Sequence, residues 1–181
     1  MPMPFFSRRR FLQQAVAIAS GASVFPAMSQ GLTGPAYEVS PWPGPLTAFG
    51  LVDTTGKTWR VADLRGRAVL LNFWASWCEP CRAEMPTLQQ IADLYGDDKL
   101  LVLAINFKEP AARALQFAKT TGVTLPVLLD LDGKAARGWG VKVFPTTLMI
   151  DRTGQPRQRV TGEVDWTSPA AEKLIAGLLK P

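Results

Sequence analysis

Two hydrophobic runs dominate the pattern along the chain, Ala68-Val69-Leu70-Leu71-Asn72-Phe73-Trp74 and Leu100 to Phe107. Both are short and scarcely alternate, which predicts central β-strands covered on both faces. Between them, a helix is predicted to begin just after Cys78 and to run through Leu88, Ile91 and Leu94 to a stop at Gly96. Pro110 to Thr120 reads as a second helix, with Pro110 suited to its first turn and Gly122 closing it. Leu125 to Leu129 and Thr147 to Ile150 add strands, and Asp151-Arg152-Thr153-Gly154 is a turn. Ser168-Pro169 opens a last amphipathic helix whose stripe is Leu174, Ile175, Leu178 and Leu179. Ahead of the first buried strand, Phe49 to Asp53 and Thr58 to Val61 flank Thr54-Thr55-Gly56-Lys57 as a β-hairpin. Strands thus alternate with helices, an α/β pattern in one layered domain over residues 46–181, with no internal repeat.

Two segments precede that domain. Ser7-Arg8-Arg9-Arg10-Phe11-Leu12 resembles the twin-arginine export signal at every fixed position of its pattern. Gln13 to Phe25 is only mildly apolar, shorter than the roughly 20 apolar residues that a membrane-crossing helix needs. Ala27-Met28-Ser29 offers a small-x-small cleavage site, so residues 1–29 read as a signal peptide and the mature chain is expected to start near Gln30 in the periplasm. Retention as an uncleaved anchor stays open. Residues 30–45 hold Pro35, Pro41, Pro43 and Pro45 with little periodicity and read as an extended spacer.

Composition narrows the chemistry. At 181 residues, 47% hydrophobic and 19% charged, the chain can build a core. The formal net charge of +5 falls to +2 without residues 1–29, which carry three arginines and no acid. That gives no basic face for nucleic acid. Histidine is absent, which removes the commonest general base and metal ligand.

The two cysteines stand in Trp77-Cys78-Glu79-Pro80-Cys81, where a buried strand passes into a helix. Residues three apart share a helix face, close enough for a sulfur–sulfur bond. The unpaired amides and dipole of a helix N-terminus favour the thiolate, the attacking species. Cys78, expected at the exposed helix tip, is the better nucleophile, and Cys81, one turn in, would resolve the mixed disulfide. Pro80 enters the first turn without losing a hydrogen bond. A structural bridge closing four residues would be a poor staple, and a zinc site needs about four ligands. No cofactor beyond the dithiol is expected. Glu79, between the cysteines, disfavours a thiolate by like-charge repulsion and pushes the pair toward reductant. Trp77 and Trp74 are read either as a shield for the site or as plain core.

The segment Leu71 to Pro86, which reads LNFWASWCEPCRAEMP, resembles the active site of TlpA/ResA-type thiol–disulfide oxidoreductases, a branch of the thioredoxin superfamily. Asn106 and Glu109 before a helix, and Val143-Phe144-Pro145-Thr146-Thr147-Leu148-Met149-Ile150-Asp151, also match. The resemblance covers about Phe49 to Leu179. It implies a thioredoxin-like fold, a central mixed β-sheet flanked by helices with an N-terminal β-hairpin extension. It also implies a monomeric periplasmic reductase of exported cysteine-containing clients, often in cytochrome c assembly, recharged by a membrane thiol transporter. The family's proline matching Pro145 forms a cis peptide bond facing the disulfide, which turns the backbone of Phe144 outward to pair with an extended client. Glu84 matches a glutamate near the family's active site. Asn72 stands where thioredoxin carries a buried aspartate, so Glu84 is the candidate for tuning the thiols; a solvated helix glutamate is the plainer alternative.

Other readings are weaker. An oxidant would want a thiolate-stabilising residue between the cysteines, a copper carrier a Cys-x3-Cys with histidine, and a peroxiredoxin-type peroxidase a threonine where Ala75 stands. Gly56-Lys57-Thr58 lacks the spacing of a phosphate loop, and Asp130-x-Asp132-Gly133 lacks the later ligands of a calcium loop. Both read as turns.

Overall fold

The computed structural model describes residues 36–44 and 48–180. The predicted export segment and its cleavage site lie outside them. A six-stranded sheet is built from β1 (Tyr37–Pro41), β4 (Ala68–Trp74), β5 (Leu100–Phe107), β6 (Val127–Asp130), β7 (Thr146–Ile150) and β8 (Pro156–Gly162), in the order β1-β8-β7-β4-β5-β6. The β4-β5-β6 side is parallel, and β4-β7, β7-β8 and β8-β1 are antiparallel. The helices are α1 (Glu79–Tyr95), α2 (Ala111–Thr121), the short α3 (Lys134–Gly138) and α4 (Pro169–Leu179). A separate hairpin, β2 (Gly50–Val52) with β3 (Thr58–Arg60), joins the free edge of β6 through a bridge between Asp53 and Leu128. The expected mixed, helix-flanked sheet with an N-terminal hairpin is borne out.

Strand periodicity of two explains the unalternating runs. Along β4, Ala68, Leu70 and Trp74 face one apolar cluster, while Val69, Leu71 and Phe73 face another. Leu100, Val102 and Ala104 of β5 join the first cluster, and Leu101, Leu103 and Ile105 the second. Residues of α1, α2 and α4 cover the first face. Trp59 of β3, Leu64 and the α3 segment through Trp139 cover the second.

One expectation is corrected. Part of the proposed spacer, Tyr37–Pro41, is not a linker but the edge strand β1, paired along its length with β8. Prolines concealed it, because an edge strand needs only one side's hydrogen bonds and tolerates Pro41 at its end. The close approach is permitted by Gly162, at φ +104°, where an added Cβ would stand 2.3 Å from the Ala36 carbonyl oxygen. The two look-alike loops are turns. Asp53 accepts hydrogen bonds from the Thr55 and Lys57 amides and from Trp59 Nε1, and Asp130 accepts from the Ala135 and Ala136 amides.

Candidate active site

The site grows from the end of β4. The chain leaves the sheet at Trp74, and the next helix begins at Glu79, so Cys78 becomes the N-cap of α1. Its Sγ accepts a hydrogen bond from the Cys81 amide at 3.3 Å, the task a serine or aspartate oxygen performs at other helix starts. Pro80 sits in the first turn, where it forfeits no intrahelical bond. Cys78 and Cys81 form a disulfide with their Cα atoms 5.3 Å apart. Cys78 is 6% exposed and Cys81 1%. The expected order of access holds, but Cys78 is not an exposed tip. In the oxidised state it belongs to the same apolar cluster as Trp74, Ala75 and Met85.

The loop before Cys78 is held from behind. Both oxygens of the buried Glu109 carboxylate are engaged: Oε2 accepts from the Ser76 amide (2.7 Å) and Asn106 Nδ2 (2.8 Å), and Oε1 from the Ser76 hydroxyl (2.6 Å). Sequence reasoning placed Asn106 and Glu109 in the family pattern without giving either a task. The signal is a carboxylate just after a buried strand that lies beside β4, since Asn106 is in register with Trp74.

Pro145 reaches the site from the antiparallel neighbour. Phe73 pairs with Thr146, so Pro145 lies at the sheet end from which the cysteine loop departs, and the Phe144–Pro145 peptide bond is cis. The Phe144 ring packs edge-on to Trp77 (centroids 6.0 Å) and against Phe107 (4.8 Å). Trp77 is 62% exposed and Trp74 fully buried, which separates the two tryptophans: Trp74 is core and Trp77 is surface.

Glu84 is not a solvated helix residue. It is 1% exposed, and it lies one turn after Cys81, hence on the same face of α1. Its Oε1 accepts a hydrogen bond from Trp166 Nε1, and Oε2 has no hydrogen-bond partner among the described residues. The nearby Asn72 amide donates to Thr147 Oγ1 at 3.0 Å. Burial pushes the Glu84 carboxyl up to about 8, against the N–H groups of Trp166 and Asn72, with a smaller push from the Glu163 carboxylate. Trp166 and Glu163 were invisible as site residues in the sequence, because they lie some 80 positions away, as the Trp166–Glu84 separation of 82 shows.

Glu79 is 87% exposed, and its carboxylate pairs with Arg82 Nε at 3.6 Å. One helical turn brings a cation to it, which weakens its repulsion of a thiolate. No cluster of three or more metal-ligating side chains occurs among the described residues, and none of their helices is long and apolar enough to cross a membrane.

A dithiol capping a helix, fed by a buried parallel strand and faced by a cis-proline turn, defines a thioredoxin-like dithiol protein. Residues 44–159 match the AhpC/TSA family, and the chain belongs to that family. It is 37% identical over 114 residues to the thiol-disulfide oxidoreductase ResA of Geobacillus thermodenitrificans, covering 63% of this chain and 66% of that protein. It is 41% identical over 111 residues to the thioredoxin-like protein YneN of Bacillus subtilis, covering 59% of this chain and 63% of that one. The chain thus spans slightly less than two thirds of these relatives, and the expected likeness to ResA-type proteins is borne out. Among solved structures it is similar to the exposed lipoprotein thioredoxin Etrx1 of Streptococcus pneumoniae, with 33% identity, a TM-score of 0.63, and coverage of 72% of this chain and 99% of that one. A thioredoxin-family thiol:disulfide interchange protein of Chlorobium tepidum is 27% identical, with a TM-score of 0.66 and coverage of 76% and 97%.

Proposed function

We propose that this protein is a thiol–disulfide oxidoreductase that reduces disulfides in exported proteins, and that no cofactor beyond the Cys78–Cys81 pair takes part. The observation that carries the reading is Cys78 Sγ capping α1 within bonding distance of Cys81. In the reduced protein the helix N-terminus stabilises a Cys78 thiolate. That thiolate attacks one sulfur of the client disulfide, and the other client sulfur leaves as a thiolate. Cys81, deprotonated, then attacks Cys78 Sγ, which re-forms the intramolecular disulfide and releases the second client thiolate. Two electrons pass to the client, and the two client thiolates take up two protons.

Glu84 is the group placed to exchange a proton with Cys81, because it lies on the same helix face; with its carboxyl pushed up to about 8, it accepts the Cys81 proton only in its ionised fraction, which grows as pH rises toward 8. The Phe144 backbone makes no hydrogen bond among the described residues and offers an edge for an extended client. Exposed Trp77 and Val143 flank that edge.

Export to the periplasm by the twin-arginine route rests on Ser7 to Leu12 and accords with the exposed location in the name of the pneumococcal relative. Cytochrome c assembly is the client class that the ResA likeness favours, with a membrane thiol transporter as electron donor and the protein acting as a monomer. The test is trapping. Cys81→Ser is expected to accumulate mixed disulfides through Cys78, and Cys78→Ser to accumulate few. Equal trapping by the two variants would overturn the assignment of roles.

A further inference from the structure

A pocket adjoins the dithiol that the redox chemistry does not use. Ser76, two residues before Cys78, lines it with Arg82 of α1 and with Arg113, Gln116, Phe117 and Thr120 of α2; its volume is about 360 Å³. That is the small end of the range for ligand pockets, room for one side chain. Its chemistry is one-sided. Two arginines from different helices line the same space.

The acids near this pocket leave the arginines underemployed. Glu109, behind Ser76, spends both oxygens on Ser76 and Asn106. Glu79 holds Arg82 loosely, at 3.6 Å and with most of its own surface in water. No carboxylate lies within ion-pair distance of Arg113 among the described residues. Both helices also begin here, Arg82 and Arg113 each standing within four residues of a positive helix end. Thr120 turns its hydroxyl back onto the Gln116 and Phe117 carbonyls, and Phe117 packs on Trp74 with ring centroids 4.7 Å apart. Phe117 thus gives the pocket an apolar wall anchored on Trp74, and the two arginines make the lining net cationic.

We propose that Arg82 and Arg113 form a carboxylate subsite that selects clients with an Asp or Glu close in sequence to the disulfide cysteine. The inference deepens the reductase reading and rests on it. Charge complementarity names the occupant: a guanidinium matches a carboxylate with two parallel N–H···O bonds, and two arginines line one space. Chain length sets the position. Two residues of extended client chain span about 7 Å, and Ser76 stands only two residues before Cys78, in a turn closed by the Cys78 amide donating to the Ala75 carbonyl, so an acid one or two residues from the client cysteine reaches the pocket as that cysteine reaches Cys78. Glu79 is the resident competitor. It occupies one side of Arg82 when no client is present and swings into water when the client carboxylate arrives. The subsite contributes binding and register; the sulfur exchange is the one already described.

The test uses two peptides with one intramolecular disulfide each, identical except for Glu or Gln two residues from a cysteine. The second-order rate of reduction by the fully reduced protein is followed by acid quench and thiol alkylation. Wild type is expected to prefer the Glu peptide by about three- to tenfold at low salt, and the preference should shrink toward unity near 500 mM salt. Arg82→Gln and Arg113→Gln should each lower that ratio, the double variant should bring it to about one, and Arg113→Lys should restore part of it. Equal rates for the two peptides with wild type, or a preference that survives in the double variant, would overturn the subsite. Reduction of neither peptide would overturn the reductase reading with it, so the two failures are distinguishable.

Discussion

Replacing Glu84 by Gln removes a single ionisable group from a buried site, and its effect on stability reverses sign with pH. In the folded, oxidised protein burial pushes this carboxyl up to about 8, from an ordinary value of 4.5. Below about pH 4.5 it is protonated in the folded and the unfolded chain alike, and its ionisation contributes nothing. Between there and about pH 8 the unfolded chain ionises while the folded one keeps its proton. Stability therefore falls as pH rises, by about 1.4 kcal/mol for each pH unit, with a ceiling of about 4 to 5 kcal/mol across the window. Relaxation around the charged form makes the observed loss smaller. No histidine titrates in this window, because the chain has none. Asp53 and Asp151 titrate lower: burial alone would raise them, but hydrogen bonds from Thr55 and Trp59, and from Thr153, Gln155 and Arg157, hold both below 3.8. Their contributions are lost only as pH falls through those depressed values. Urea unfolding of oxidised wild type and Glu84→Gln between about pH 5 and pH 8 reads the difference. The midpoint of wild type should fall with rising pH and that of the variant should stay nearly flat. The variant should be equal or slightly weaker at pH 5 and clearly more stable at pH 8. Parallel pH profiles for the two proteins would refute the reasoning.

The neighbours of that site give further expectations. Trp166→Phe removes the N–H donated to Glu84, so the pH-dependent fall in stability should still begin near pH 4.5 but extend to higher pH, and a window ending at lower pH would contradict it. Glu109→Ala strips the acceptor from the Ser76 amide, the Ser76 hydroxyl and Asn106, and should cost about 2 to 4 kcal/mol in denaturant unfolding together with slower disulfide exchange; a cost below about 0.5 kcal/mol would show that the loop is held otherwise. Gly162→Ala places a Cβ against the Ala36 carbonyl at a positive φ, so about 2 to 3 kcal/mol should be lost and proteolysis within residues 36–44 accelerated, whereas an unchanged digest would mean that β1 shifts without strain.

Much of this fold is written locally. β4 and β5 are apolar on both faces of the pleat except at Asn72 and Asn106, because both faces are covered, and α1 is announced by a cysteine N-cap, a first-turn proline and a closing Gly96. Cys78, Cys81, Pro80 and Trp77 were legible for the same reason, as neighbours within one turn. β8 was missed because Pro156–Gly162, PRQRVTG, carries Val160 as its one fully buried apolar residue, and α3 because five residues give no periodicity. β1 hid among prolines, its strand character supplied by pairing with β8. The burial of Glu84 depends on Trp166 closing over it from the start of the last helical segment, and no local pattern on α1 records that contact. Glu79 lies in solvent, and its partner Arg82 stands only three residues on, a pairing that helix spacing alone records.

The central claim is that Cys78 and Cys81 work as a reductant, and the reduction potential of the pair tests it most directly. It is obtained by equilibrating the protein with thiol–disulfide buffers and alkylating the free thiols. The exposed Glu79 moderates the helix-dipole stabilisation of a Cys78 thiolate, and Arg82 offsets part of that moderation. The account therefore predicts a value near that of thioredoxin, about −270 mV, and well below the strong oxidants near −120 mV. A potential above about −150 mV would contradict it, and would make this dithiol a donor of disulfides instead of a reductant.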